Sequence, residues 1–172
     1  MTRKPLAELL TGQPGLPDVE GTIDAVLRDA DGNILQHVHQ HNMITEYFRL
    51  LFVPNGDWNH SPMIVFINET TEAMHPKRSS MRTTMPGVSL MSVVPSIDGV
   101  NRIWTYQTVF AVPPVQRTIR MIGLTRYASQ DGFTNLKSGP GGICAATLLS
   151  TPIVQPTSAT LEVSYRLAIQ RT

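Results

Sequence analysis

The chain is short of charge. Of its 172 residues, 16% are Asp, Glu, Lys or Arg, against about 25% in an average soluble domain. Lys plus Arg is 14 and Asp plus Glu is 13, so the formal net charge is +1. That balance excludes a strongly basic nucleic-acid binder and an acidic disordered tail. Cysteine is almost missing. Cys144 stands alone, which excludes an internal disulfide and a cysteine-based zinc cluster. Long apolar runs are missing too: none approaches the roughly 18 residues of a membrane span. Residues 1–10 contain basic side chains, but Pro5 and Glu8 interrupt any signal-peptide core. Together these absences lead us to expect a chain made and assembled in a cytoplasm.

What the chain has instead is turn and strand chemistry. Gly (12) and Pro (13) give 25 residues, and Thr adds 18. Such chains are built from short strands and turns. The hydrophobic share, 41%, suffices for a core. So little charge over so much surface implies that part of the surface does not face water.

Residues 1–20 read as an extended arm. Pro5, Gly12, Pro14, Gly15 and Pro17 leave no room for a core of its own. Leu6, Leu9, Leu10 and Leu16 are poorly suited to water, which marks them as candidate contacts with a neighbouring subunit. Residues 21–172 read as one β-domain. In 21–28, Ile23, Ala25 and Leu27 alternate with Thr22, Asp24, Val26 and Arg28. Residues 29–33 (DADGN) form a turn, and 34–41 return as a second strand. Residues 42–52 change to helical spacing, with Met43, Tyr47, Leu50 and Leu51 on one face. A short helix is expected there, stopped by Pro54-Asn55-Gly56.

Residues 63–68 read as an apolar strand and 69–86 as a long loop. Residues 88–94 and 102–112 read as a hairpin around the Pro95–Gly99 turn. Residues 118–125 and 143–150 are further strands, separated by a second long loop over 127–142. Pro152 and Pro156 mark a linker. In 160–170, Leu161, Val163, Tyr165, Leu167 and Ile169 alternate with polar or small residues, the pattern of a long strand over a core. About eight strands and one helix result, with no helices between strands. The expected fold is therefore mainly β, an antiparallel β-sandwich of jelly-roll type with an extended N-terminal arm.

Few residues advertise chemistry. His37, His39 and His41 alternate along one strand, so their imidazoles share a face. They are the weak candidates for a metal, because imidazole is the commonest metal ligand. Steps of about 7 Å along a strand keep all three from one ion. Two neighbours, or one histidine from each of three chains, would have to share it. Otherwise the strand is a polar outer surface or a subunit interface. Asp57, Glu69, Glu72 and Asp131 form no acid–base motif, and no G-x-S-x-G elbow is present. Cys144 reads as a small core residue. Residues 137–142 (KSGPGG) lack the G-K-[ST] of a phosphate loop. Trp104, Tyr106 and Phe110 share a face that is either core or a sugar-stacking platform. Trp58, set among Asn, Asp and His, reads as a contact hot spot or as packing over the sheet edge. Of the 14 basic residues 11 are Arg, which suits protein interfaces; Arg78 and Arg82 are the candidates there. No catalytic residue and no cofactor is expected.

Two stretches carry a resemblance. Residues 21–51 run strand, Asp-Gly turn, strand, then HNMIT. Residues 117–170 run TIRMIGLT, a loop, ATLLS, a Pro-rich linker and LEVSYRLAI. This arrangement resembles small virion structural proteins of tailed bacteriophages, of the tail, collar and fibre-attachment type. The resemblance implies a non-enzymatic building block in a virion, assembled in the host cytoplasm. It implies a homo-oligomer, ring or trimer, whose partners are its own copies and other virion proteins. Nucleic acid, membrane and small-molecule substrates are not expected partners. A capsid decoration protein and a carbohydrate-binding β-sandwich module are the alternatives.

Overall fold

A computed structural model describes residues 19–44, 48, 63–69, 81–82, 89–125, 135–136 and 143–169. Eleven strands lie in these residues, all paired antiparallel. They are β1 (Val19–Arg28), β2 (Ile34–Ile44), β3 (Met63–Asn68), β4 (Met81–Arg82), β5 (Ser89–Val93), β6 (Ser96–Asp98), β7 (Ile103–Phe110), β8 (Arg117–Thr125), β9 (Asn135–Leu136), β10 (Ile143–Gln155) and β11 (Thr160–Ile169). Nine form one sheet in the order β5-β3-β8-β10-β2-β1-β11-β7-β6, and β4 pairs β9 separately. The chain is therefore mainly β, with two antiparallel sheets.

The alternation read from the sequence sets the faces. Ile23, Ala25 and Leu27 on β1, and Leu161, Val163, Tyr165, Leu167 and Ile169 on β11, are all buried. Their neighbours along each strand point outward. β3 and β8 instead bury consecutive residues such as Val65, Phe66 and Ile67 or Met121 and Ile122. Strands buried on both faces read as apolar runs rather than alternations. A single hydrophobic cluster joins Val65 and Leu124 from one half of the large sheet to Tyr106, Tyr165 and Ile23 from the other.

The β1–β2 hairpin turns as expected. Gly32 takes φ +85°, and the Asp29 carboxylate accepts hydrogen bonds from the Asp31 and Asn33 amides and from the Asn33 side chain. One residue departs from a plain ladder. Arg28 pairs Ile34 and Leu27 pairs Gln36, so Leu35 is an extra residue in β2. Such a bulge changes parity. It turns Val38 inward opposite Ala25 and leaves His37, His39 and His41 outward.

At the other end of β2 the two halves of the sheet part. β2 and β10 share a backbone ladder at Met43–Ala146 and Ile44–Ala145. Beyond it, side chains span the seam. Gln40 donates to Thr147 Oγ1 at 3.0 Å and the Leu148 carbonyl at 2.8 Å, and accepts from the Ser150 amide at 2.9 Å. Gln36 donates to the Pro152 carbonyl at 3.1 Å.

Several expectations are corrected. The helix expected over 42–52 starts too early, because Asn42, Met43 and Ile44 continue β2. β10 supplies them with a ladder that local spacing cannot reveal. Phe48 is helical and buried; 45–47 and 49–52 lie outside the described residues. The hairpin expected between 88–94 and 102–112 does not form. β5 pairs β3 at one edge of the sheet, while β7 pairs β11 and β6 near the other. Pro95, which is buried, separates them. The tight turn lies further on, where Asp98 accepts from the Val100 and Asn101 amides and Arg102 takes φ +54°. Pro152 is no linker either. It sits inside β10 where the register with β8 shifts, a position at which a strand tolerates proline.

Candidate functional site

The outer face of β2, β1, β11 and β7 collects polar chemistry in register. Asp24 on β1 lies opposite His39 on β2 and Ser164 on β11, and Ser164 lies opposite Gln107 on β7. One row further along, Val26 lies opposite His37 and Glu162, and Glu162 opposite Val109. A shallow groove of about 520 Å³ follows these rows, lined by Asp24, Val26, Glu162, Ser164, Gln107 and Val109.

The three histidines stand where the sequence places them, on one exposed face. What the sequence does not reveal is their partners. The Asp24 carboxylate meets both His37 Nε2 and His39 Nδ1, the latter at 3.2 Å. His41 Nδ1 lies 3.1 Å from Glu20 Oε1. A neutral imidazole donates through one ring N–H, so each pair holds without a charged ring. Among the described residues, no group of three or more His, Cys, Asp or Glu side chains is placed to hold a metal ion. The histidines form a carboxylate-linked ladder. Glu162 accepts from Arg28 Nε at 3.0 Å.

Asp24 feels two opposed influences. Partial burial pushes its pKa up, and hydrogen bonds from His37 and His39 pull it down; the net effect is a lowered pKa. A carboxylate lowered on folding stabilises the fold above its unfolded pKa. That contribution is lost as pH falls through its folded pKa. Asp24→Asn is therefore expected to flatten the acid limb of a Tm-against-pH curve below about pH 4. The two curves are expected to converge in acid. Parallel curves through that range would show that the ladder does not couple to folding.

The other candidates divide. Trp104 and Tyr106 are buried with Phe110, so β7 offers the core no sugar-stacking platform on that face. Leu6, Leu9, Leu10, Leu16, Trp58 and Arg78 lie outside the described residues. Arg82 lies in β4, and its side chain is outside the description.

A second feature was not read from the sequence. Large aliphatic side chains are exposed at both ends of the sheet: Val94, Ile97 and Val100 lie around β6, and a larger set lies where β2, β8 and β11 begin and β1, β7 and β10 end. Ile34, Leu35, Val112, Val115 and Val154 all belong to this rim, Val115 at 70% and Leu35 at 53% exposure. Each sits beside a turn or bulge, so no periodicity announces it. No family model, no curated protein and no solved structure matches this chain.

Proposed function

We propose that the protein is a non-enzymatic structural component that assembles with copies of itself. The observation that carries this is the aliphatic rim of Ile34, Leu35, Val112, Val115 and Val154. Scattered exposed aliphatics are ordinary, but several at one end of a sheet mark an interaction surface. The 16% charge content supports the same reading, because interface cores are depleted in charge. The finer fold we propose is a β-sandwich, its halves meeting over the shared core. Jelly-roll connectivity draws no support from a strand order in which β1 and β2 lie side by side.

The proposed setting is a tailed-phage virion, assembled in the host cytoplasm. There the chain docks tail, collar or fibre parts, with a place on the capsid surface as the alternative. No cofactor, nucleic acid or membrane enters this proposal. The support is the strand-and-turn resemblance described above together with the rim. A carbohydrate-binding module is the weaker reading, since it now depends on Trp58 alone.

The test of self-association is sedimentation of the full chain over a concentration series. The native chain is expected to associate. Leu35→Lys with Val154→Lys, both at exposed positions, is expected to weaken association about tenfold or more while leaving Tm unchanged. A native chain that stays monomeric throughout would overturn the proposal. Imaging of the native assembly for copy number and position tests the virion setting.

A further inference from the structure

The two ends of the large sheet are both apolar, and they differ in charge. At one end, the segments around β6 leave Val94 70% and Val100 79% exposed, with Ile97 beside them. At the other stands the rim of Ile34, Leu35, Val112, Val115 and Val154. The register keeps the two apart. Ala168 pairs Ile103 beside β6, and Leu161 pairs Phe110 at the far end of the same strands, beside the rim.

The β6 end carries Arg102 and Arg166, both exposed and neither in an ion pair among the described residues. Its acids are engaged locally. Glu20 faces His41, and Asp98 accepts from the Asn101 side chain and from the Val100 and Asn101 amides. Those hydrogen bonds, and after them the nearby Arg166, lower the Asp98 pKa. The rim end carries Asp29 and Asp31 in the β1–β2 turn, neither in an ion pair among the described residues. Its cations are engaged locally. Arg28 donates to Glu162 and to the Gly32 carbonyl, and Arg117 donates to Gln155. One apolar surface is thus bordered by acid and the other by arginine.

We propose that copies pack head to tail, the rim of one on the β6 end of the next, an inference that rests on the self-association proposed above. Identical chains can join these ends in three ways. Rim on rim brings the aspartates of two copies together and leaves Val94 and Val100 in water. β6 end on β6 end brings the arginines together and leaves the rim in water. Rim on β6 end covers both apolar sets with one contact and sets acid against arginine. Like charges facing each other cost affinity, and complementary charges fix the register of a contact. A contact between two different patches of one chain is heterologous. It repeats from copy to copy until it closes into a ring or continues as a filament.

The experiment is sedimentation of the full chain, native and in two variants that each disable one end. Leu35→Lys with Val154→Lys disables the rim, and Val94→Lys with Val100→Lys disables the β6 end. All four positions are exposed, and an unchanged Tm verifies that both variants fold. Each variant alone is expected to associate about tenfold or more weakly than the native chain. Mixed in equal amounts, they are expected to form a complex of one copy of each and nothing larger, because the intact β6 end of the first fits the intact rim of the second. Asp31→Arg or Arg102→Glu alone is expected to weaken association of the otherwise native chain, and both in one chain to restore part of it. A native chain that stays monomeric overturns self-association and this inference with it. If the native chain associates, two results overturn the head-to-tail contact alone: a β6-end variant that associates as tightly as the native chain, or a mixture that gives no complex. A combined reversal no stronger than either single change overturns the charge matching that selects the β6 end as the partner of the rim.

Discussion

Gly123→Val is expected to remove much of the stability of the native fold, and Gly123→Ala a smaller but still large share. Gly123 lies in β8, flanked by β3 and β10, and is paired with Phe66 on one side and Ala146 on the other. The Phe66 ring lies directly over it. A Cβ at this position would sit against the ring carbons and 2.9 Å from the Ala145 carbonyl oxygen. Neither neighbour can yield easily. Phe66 is fully buried, and Ala145 pairs with Leu124 of β8 and Ile44 of β2. Overpacking of a core costs about 1–3 kcal/mol and sometimes more. Here backbone and ring resist together, so about 3 kcal/mol is expected for Ala and more for Val. Against a typical stability of about 5–15 kcal/mol, that removes a large share. Urea melts measure it. Phe66→Ala alone is expected to cost about 3–5 kcal/mol. Combined with Gly123→Ala it is expected to cost clearly less than the two single changes together, because the ring and the new methyl compete for one space. Additive losses, or an unchanged midpoint in Gly123→Ala, would show that the ring does not hold this position.

That glycine illustrates how the sequence speaks and where it falls silent. β1 and β11 announce themselves because one face of each meets solvent, so burial is written as alternation. β3 and β8 are covered on both faces, and their apolar runs say only that they are buried. Gly123 within such a run carries no signal of the ring above it. Pairing between distant segments is silent as well. Residues 42–44 carry helical spacing, yet β10 draws them into a ladder. Residues 89–93 look like the natural partner of β7, yet they cross to β3.

The site shows the same division. The His37, His39 and His41 face is legible from period two. Its carboxylate partners Asp24 and Glu20 depend on the extra residue at Leu35. Without that bulge, Val38 would stand outside and the histidines would face the core. The rim depends on where strands end, which strand propensity does not specify. The leucines of the arm, Trp58 and Arg78 lie outside the described residues.

Gln155→Leu is the second change expected to have a large effect, and it ties stability to the rim. Gln155 is fully buried at the end of β10. Its amide donates to the Ala159 carbonyl at 2.8 Å and the Ala111 carbonyl at 3.2 Å, and its oxygen accepts from Arg117 Nε at 2.8 Å. One side chain thus fastens the turn into β11, the segment after β7 and the start of β8. Leucine matches the volume and removes all three bonds. Each buried polar group left without a partner costs about 1–3 kcal/mol. The Arg117 guanidinium, whose pKa burial pushes down while Glu69 nearby pushes it up, loses one acceptor. A loss of about 3 kcal/mol or more is expected in urea melts. Gln155→Glu keeps an acceptor for Arg117 and removes the donor to both carbonyls. If the carbonyls matter more than the guanidinium, it will not rescue. Residues 111–116 carry Val112 and Val115, so loosening them is expected to weaken self-association before the core melts. Hydrogen exchange would show this as faster exchange over 112–118 with β1 and β11 still protected. A Gln155→Leu chain that melts earlier but associates as tightly as the native one would separate the rim from the hydrogen-bonded end that supports it.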